Sequence, residues 1–232
     1  MFLWTLLACT LGYDHSDKEV SLSFQQTKSA HHFYFDKALE SSVKIVMTKG
    51  GQEVGHASGN YFKIGQHKFI ISAAHIVSVE EVLVTTDYIS VVELSVVHID
   101  VFNDIAILVP KKDLKSIRAI NYVTNKELQI IGDTVVYAGF PASVGQSIFH
   151  GTVASCDLNS LLIQSFALPG ASGSVIFDNK GMVIGVLSAI QMGYNNQSPW
   201  PQLHAGLVYA SRLREYDRYK IEEIIVKWKS SR

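Results

Sequence analysis

The sequence predicts an all-β chain, a sandwich or a pair of barrels, closed by one C-terminal helix. Three observations carry this expectation. First, short runs rich in Val, Ile and Tyr recur from about residue 40: SVKIVMT (42–48), NYFKI (60–64), KFIISAA (68–74), EVLVTT (81–86), VELSVVHID (92–100), IAILVP (105–110), TVVYAGF (134–140), GTVASC (151–156), SLLIQS (160–165), SVIFD (174–178), MVIGVLSA (182–189) and AGLVYAS (205–211). Gly, Asn, Asp and Pro punctuate them at roughly 8–15-residue spacing, the texture of short strands joined by turns. Second, no long helical period alternates with these runs, which disfavours a βαβ sheet. Third, in REYDRYKIEEIIVKWK the residues Ile221, Ile224, Ile225 and Trp228 fall at i, i+3, i+4 and i+7, one apolar face of a helix. Glu215 and Asp217 are expected in its first turn and Lys227 and Lys229 in its last, as the helix dipole favours.

The ends of the chain read differently. Residues 1–12, MFLWTLLACTLG, have the apolar texture of a secretory h-region without a basic start, and Leu6-Leu7-Ala8-Cys9 resembles a bacterial lipobox. Export, to a periplasmic, secreted or lipid-anchored destination, is therefore favoured over a cytoplasmic one. Residues 13–37 are polar and aperiodic, a linker. The expected organisation is a leader at 1–37, a strand-rich domain at 38–212 whose halves are about 40–110 and 128–212, and a helix at 213–232. The polar stretch 111–127 would connect the halves. No later run approaches the roughly 18–20 apolar residues of a spanning helix.

Composition narrows the function classes. The chain is 47% apolar and 18% charged over 232 residues, enough to bury a sizeable core. Its 20 basic and 21 acidic residues give a formal net charge of −1. No strong field is available for nucleic acid, and a membrane is implied only through the N-terminal run. Two cysteines, Cys9 and Cys156, exclude a disulfide framework and a cysteine-rich zinc site; Cys156 is expected as a small buried hydrophobe. His31-His32 has no further ligand at a helpful spacing, so no metal site is expected there.

Three short motifs stand in the order His, Asp, Ser. Ile71-Ser72-Ala73-Ala74-His75 ends a strand, Asn103-Asp104-Ile105-Ala106-Ile107-Leu108 places an acid before one, and Pro169-Gly170-Ala171-Ser172-Gly173-Ser174 is a glycine-flanked serine leading into another. A serine hydroxyl is a weak nucleophile without an adjacent base. Histidine suits that task near neutral pH, and a carboxylate can hold its tautomer and stabilise its cation. Glycines let the backbone turn tightly enough for N–H groups to converge on a developing oxyanion. Asp100 and His98 lie close to Asp104 and compete for the orienting role, with Asp104 in the better strand context.

These three segments resemble the signatures of the chymotrypsin-like serine peptidases, nearest to the bacterial HtrA-like and glutamyl-endopeptidase-like branches. Gly139-Phe140-Pro141 with Gly151-Thr152-Val153, the hairpin Gly181-Met182-Val183-Ile184-Gly185-Val186, and Ala205-Gly206-Leu207-Val208 extend the resemblance over roughly residues 40–212. It implies two six-stranded antiparallel barrels and an endopeptidase acting on protein or peptide substrates without a cofactor. The implied triad is His75, Asp104 and Ser172, with the N–H groups of Gly170 and Ser172 as the oxyanion hole. By the same analogy Phe166, Ala167, Ser188, Ala189, Ile190 and Gly206 would line the primary pocket, with His204 near it. No acid stands at the pocket base and Leu187 replaces the histidine of glutamyl endopeptidases, so the expected preference is for an apolar or small residue, not Lys, Arg or Glu. Ala171 stands where the zymogen-type enzymes carry an acid, and the processed Ile/Val-Val-Gly-Gly start is missing, so no such activation switch is expected. With 20 residues after position 212, a PDZ module is not expected either. The alternatives are a catalytically silent binding module on the same fold, against which the intact triad speaks, and an esterase, whose usual Ser-Asp-His order in an α/β sheet is not seen.

Overall fold

The computed structural model describes residues 33–78, 82–86, 90–142, 144–193 and 202–232. The signal-like run, Cys9 and His31-His32 lie outside the described residues.

Each of the twelve expected runs forms a strand, and a thirteenth is added. In the first half, β1 (Ser42–Lys49), β2 (Gln52–Ile64), β3 (His67–Ser72), β4 (Val82–Thr86), β5 (Val91–Asp100) and β6 (Ile105–Pro110) pair antiparallel in the order β1-β4-β5-β6-β3-β2. The β1–β2 pairing closes them into a barrel. The short β7 (Ile120–Asn121) lies in the connection and joins the outside of β2 in parallel. In the second half, β8 (Thr134–Gly139), β9 (Ser147–Cys156), β10 (Ser160–Gln164), β11 (Val175–Asp178), β12 (Val183–Gly193) and β13 (Gln202–Arg212) close a second barrel in the order β10-β13-β12-β11-β8-β9. Closure removes the open edges of the two six-stranded barrels among the described residues, with β7 as a short addition on the first.

The continuous apolar runs of β8 and β11 have a packing cause. Val135, Tyr137 and Ile176 point into the second barrel with Leu161, Ile163, Leu187 and Val208. Their neighbours Val136, Ala138, Val175 and Phe177 point the other way, into one cluster with Phe62, Phe69, Ile71 and Ile107 of the first barrel. Both faces are thus buried, so alternation disappears from the sequence. The His, Asp and Ser motifs fall at the ends of strands bordering this shared core.

Four strands run well beyond their expected ranges, β12 reaching Gly193 and β13 starting at Gln202. β2 begins at Gln52, because QEVGHASG is polar and glycine-containing and lacks the apolar signal of a strand. β9 begins at Ser147. A helix also forms where the linker was expected to end: α1 (Phe33–Ser41) buries Tyr34 and Ala38, four residues apart, and Lys37 Nζ donates to Gly181 O at 3.0 Å on the second barrel. Cys156 is half-buried, its thiol donating to Asp157 O, because it sits at the exposed end of β9.

The C-terminal helix α2 runs from Arg218 to Ser230. Asp217 is its N-cap, accepting the Lys220 N–H at 2.8 Å, and Glu215 precedes the helix; neither lies in the first turn. The cap places the start at Arg218, five residues after the expected 213, because its carboxylate satisfies an otherwise orphaned N–H. Ile221 and Ile225 are buried in the first barrel's cluster, with Ile224 packed against it. Ile221→Ala is accordingly expected to cost about 2–5 kcal/mol in urea unfolding, and the exposed Val226→Ala no more than about 0.5 kcal/mol.

Candidate active site

His75 sits in a single 3₁₀ turn, Ala74–Ile76, directly after β3. Asp104 closes the turn between β5 and β6 with φ +49°, a left-handed conformation that Asp tolerates better than most side chains. Asp100 builds that turn: its carboxylate accepts from the N–H groups of Phe102 and Asn103 and, at 2.7 Å, from the Asn103 side chain. Tyr216 OH also donates to Asp100, at 2.8 Å, and His98 meets that hydroxyl at 3.0 Å. Asp100 is therefore spent on the loop that delivers Asp104 and does not orient His75.

Asp104 grips His75 at two points. Oδ2 lies 2.8 Å from the ring Nδ1, and Oδ1 accepts the His75 backbone N–H at 2.8 Å. A carboxylate only accepts, so Nδ1 carries a proton, and in the neutral ring the free lone pair is on Nε2. The Ser188 hydroxyl donates to Oδ2 as a third contact. Partial burial alone raises the Asp104 pKa, but the hydrogen bonds from the His75 ring, the Ser188 hydroxyl and the His75 amide outweigh it and hold the group below its ordinary range. The ring is half-exposed while the Asp104 side chain is 18% exposed, so the charge sits behind the base.

The serine lies on the loop between β10 and β11. Leu168 O accepts the Ala171 N–H at 3.0 Å around Pro169 and Gly170, and Gly170 has φ +95°, which is a type II turn. Pro169 O accepts the Ala142 N–H at 2.6 Å. In a planar trans peptide the N–H points opposite to the C=O, so the Gly170 N–H is turned away from Ala142. Among the described residues no acceptor takes the N–H of Gly170 or of Ser172. Ser172 is half-buried, and its C=O accepts the Ser58 N–H at 2.8 Å. Gly173 has φ +87°, and a Cβ there would stand 2.2 Å from both Ser58 O and Ser72 Oγ and 3.0 Å from Ala73 N. The serine loop and the segment leading to His75 therefore meet at Gly173, which only glycine fits.

The pocket residues divide. Phe166 is exposed, and its C=O accepts Tyr137 OH at 2.7 Å. Ala167 is buried in the interior of the second barrel. Gly206, at φ +108°, accepts the Ser165 N–H at 3.0 Å, beside Phe166. Ser188, expected only as a pocket lining, has its hydroxyl on Asp104, a role that its neighbours in the sequence do not betray. The side chains of Ala189, Ile190 and His204 lie outside the described residues. Ala171, in place of an acid, is packed in the apolar interior with Leu187.

Two outcomes follow from this geometry. Gly173→Ala should lower the urea midpoint several-fold more than Gly65→Ala, which meets open space and carries only the roughly 1–2 kcal/mol of a left-handed residue. A carboxyl with a lowered folded pKa stabilises the fold above its unfolded pKa and loses that contribution as pH falls through the folded value. Asp104→Asn should therefore flatten the acid limb of a stability-against-pH curve, and an unchanged limb would contradict the ionised state assigned to Asp104.

Residues 57–186, more than half of the chain, match the family described as trypsin-like peptidase domain. No curated protein sequence matches the chain. Among solved structures it is similar to the serine endoprotease from Yersinia pestis, with a TM-score of 0.66 at 18% identity, over 85% of this chain and 66% of that one. The match thus spans just under two thirds of the Yersinia protein, and at that identity it speaks for the fold. With two closed barrels and a family match reaching from β2 through the His, Asp and Ser motifs into β12, the chain belongs to the trypsin-like peptidase family.

Proposed function

We propose that this chain is a serine endopeptidase that cleaves peptide bonds through an acyl-enzyme. The observation that carries the reading is the double grip of Asp104 on His75, which fixes a basic Nε2. In this reading the Ser172 Oγ attacks the scissile carbonyl carbon while its proton passes to His75 Nε2. The carbonyl oxygen becomes an oxyanion held by the Gly170 and Ser172 N–H groups. The C–N bond then breaks and the proton moves from His75 to the departing amine. Water repeats the sequence on the ester: its proton goes to His75, a second oxyanion forms and collapses, and Ser172 Oγ takes the proton back. Asp104 stays ionised throughout and stabilises the imidazolium. Every step uses groups of this chain and water.

Two features support finer points. Ala171 is buried among apolar groups, so a freed N-terminal amine would find no counter-charge there; the enzyme needs no switch of that kind. Phe166 and Gly206, with no acid in the sequence at 160–177 or 183–214, favour an apolar or small side chain in the primary pocket over Lys or Arg.

The test is labelling of the purified chain with a fluorophosphonate probe, followed by mass mapping. An adduct on Ser172 that is lost in Ser172→Ala supports an activated nucleophile, and peptide-library profiling then reads the pocket. A folded chain that takes no label would favour a silent binding module instead.

A further inference from the structure

Three polar side chains of β2 face the second barrel at alternate positions, as the period of a strand requires. Their partners are not strand neighbours but the serine segment, the stretch at Phe140 after β8, and α1. His56 Nε2 donates to Phe140 O at 3.1 Å, and a Cβ on Gly170 would stand 2.5 Å from the same nitrogen. The Ser58 hydroxyl donates to Gly170 O at 2.7 Å and accepts the Phe140 N–H at 2.8 Å. Asn60 Oδ1 accepts the Val175 N–H at 2.9 Å, while its Nδ2 donates to Ala38 O and Ser41 Oγ of α1 at 3.1 and 2.9 Å. Ser58 and Asn60 have no exposed surface.

Ser58 is the centre of this row. Its N–H holds Ser172 O, its C=O accepts the Ser72 hydroxyl at 2.6 Å, and its own hydroxyl bridges Gly170 O and Phe140 N. The Gly170 N–H belongs to the peptide just before the bridged carbonyl, and that peptide's C=O is held by Ala142, two residues after Phe140. One buried hydroxyl therefore joins both stretches of chain that set the direction of the Gly170 N–H. No spare room surrounds it: a Cβ on Gly139 would come within 2.6 Å of the Ser58 oxygen.

Building on the endopeptidase reading, we propose that Ser58 is a positioning residue for the oxyanion donors, the middle of a β2 row, His56–Ser58–Asn60, on which the serine loop of the other barrel is laid. Removing the hydroxyl leaves the partly buried Gly170 O and Phe140 N–H without this partner, and the turn that aims Gly170 relaxes to recover it. The ground-state substrate hardly feels this, because the donors matter most once charge develops on the oxygen.

The test compares the parent chain with Ser172→Ala, Ser58→Ala, His56→Ala and His56→Gln. The readouts are fluorophosphonate labelling rate, hydrolysis of p-nitrophenyl acetate, and the thermal midpoint. Ser58→Ala is expected to lose roughly 10- to 100-fold in kcat and in labelling rate with KM changed by less than about twofold. His56→Ala should lose less, and His56→Gln, which keeps a donor for Phe140 O, should recover it. Ser58→Ala with parental kcat overturns the proposal, as does a loss that only follows the unfolded fraction. Should Ser58→Ala not fold, the His56 pair decides, since equal rates for Ala and Gln refute the row. A parent that neither labels nor shows activity sensitive to Ser172→Ala removes the peptidase reading and the positioning role with it. Failure of the row alone leaves the parent labelled.

Discussion

Among the described residues the loop 168–175 leaves the Gly170 and Ser172 N–H groups and the buried Ser174 hydroxyl without partners, while the backbone groups that are held find their partners in both barrels. Pro169 O goes to Ala142 and Gly173 N to Leu187 within the second barrel. Gly170 O, Ser172 O and Val175 N go to Ser58 and Asn60 of the first. Buried backbone groups without partners cost as much as lost hydrogen bonds, so neither barrel can shape this loop alone. The rest of the site inherits its geometry from that shared obligation.

Packing enforces the same arrangement. The apolar outer faces of β8 and β11 join the first barrel's cluster, which brings β2 against the serine loop at van der Waals distance. Glycine at 139 and 173 is what allows such an approach, since a Cβ at either would overlap a Ser58 oxygen. On the opposite side, Tyr216 and Asp100 link the start of α2 to the turn that presents Asp104. Asp104, His75 and Ser172 are thus each delivered by a short turn that is fastened from behind.

Much of this was legible in the sequence, and what was not has physical reasons. Strands with a clear apolar run, such as IAILVP and TVVYAGF, announce themselves, and so does α2 through Ile221, Ile224 and Ile225. His75, Asp104 and the glycine-flanked Ser172 were readable because each stands in a short local pattern. Ser58 and His56 were not, because the strand that carries them turns its polar residues toward another barrel, and a polar face in a sequence looks like solvent or a turn. The hydroxyl of Ser188 is in a similar position, since a contact with Asp104, 84 residues away, leaves no trace in its neighbours. The helix α1 escaped notice because nine residues with only Tyr34, Ala38 and Ser41 buried give too little period to recognise. The ends of β2 and β9 were missed for the same lack of apolar signal.

The separation along the chain between Ser58 and Gly170 is 112 residues, and between Asn60 and Val175 it is 115. During synthesis β2 leaves the ribosome long before the segment it supports, and its polar row is then simply hydrated. Contacts this distant in sequence close late, because their loop entropy must be met before they return any stabilisation. A nascent or truncated chain that lacks the second barrel has no serine loop, and in one that has just emitted it the loop lacks its supports from β2 until the barrels dock. The shape of the serine loop is in this way tied to the synthesis of both barrels, so a half-made chain reaches the solvent with that loop still unshaped.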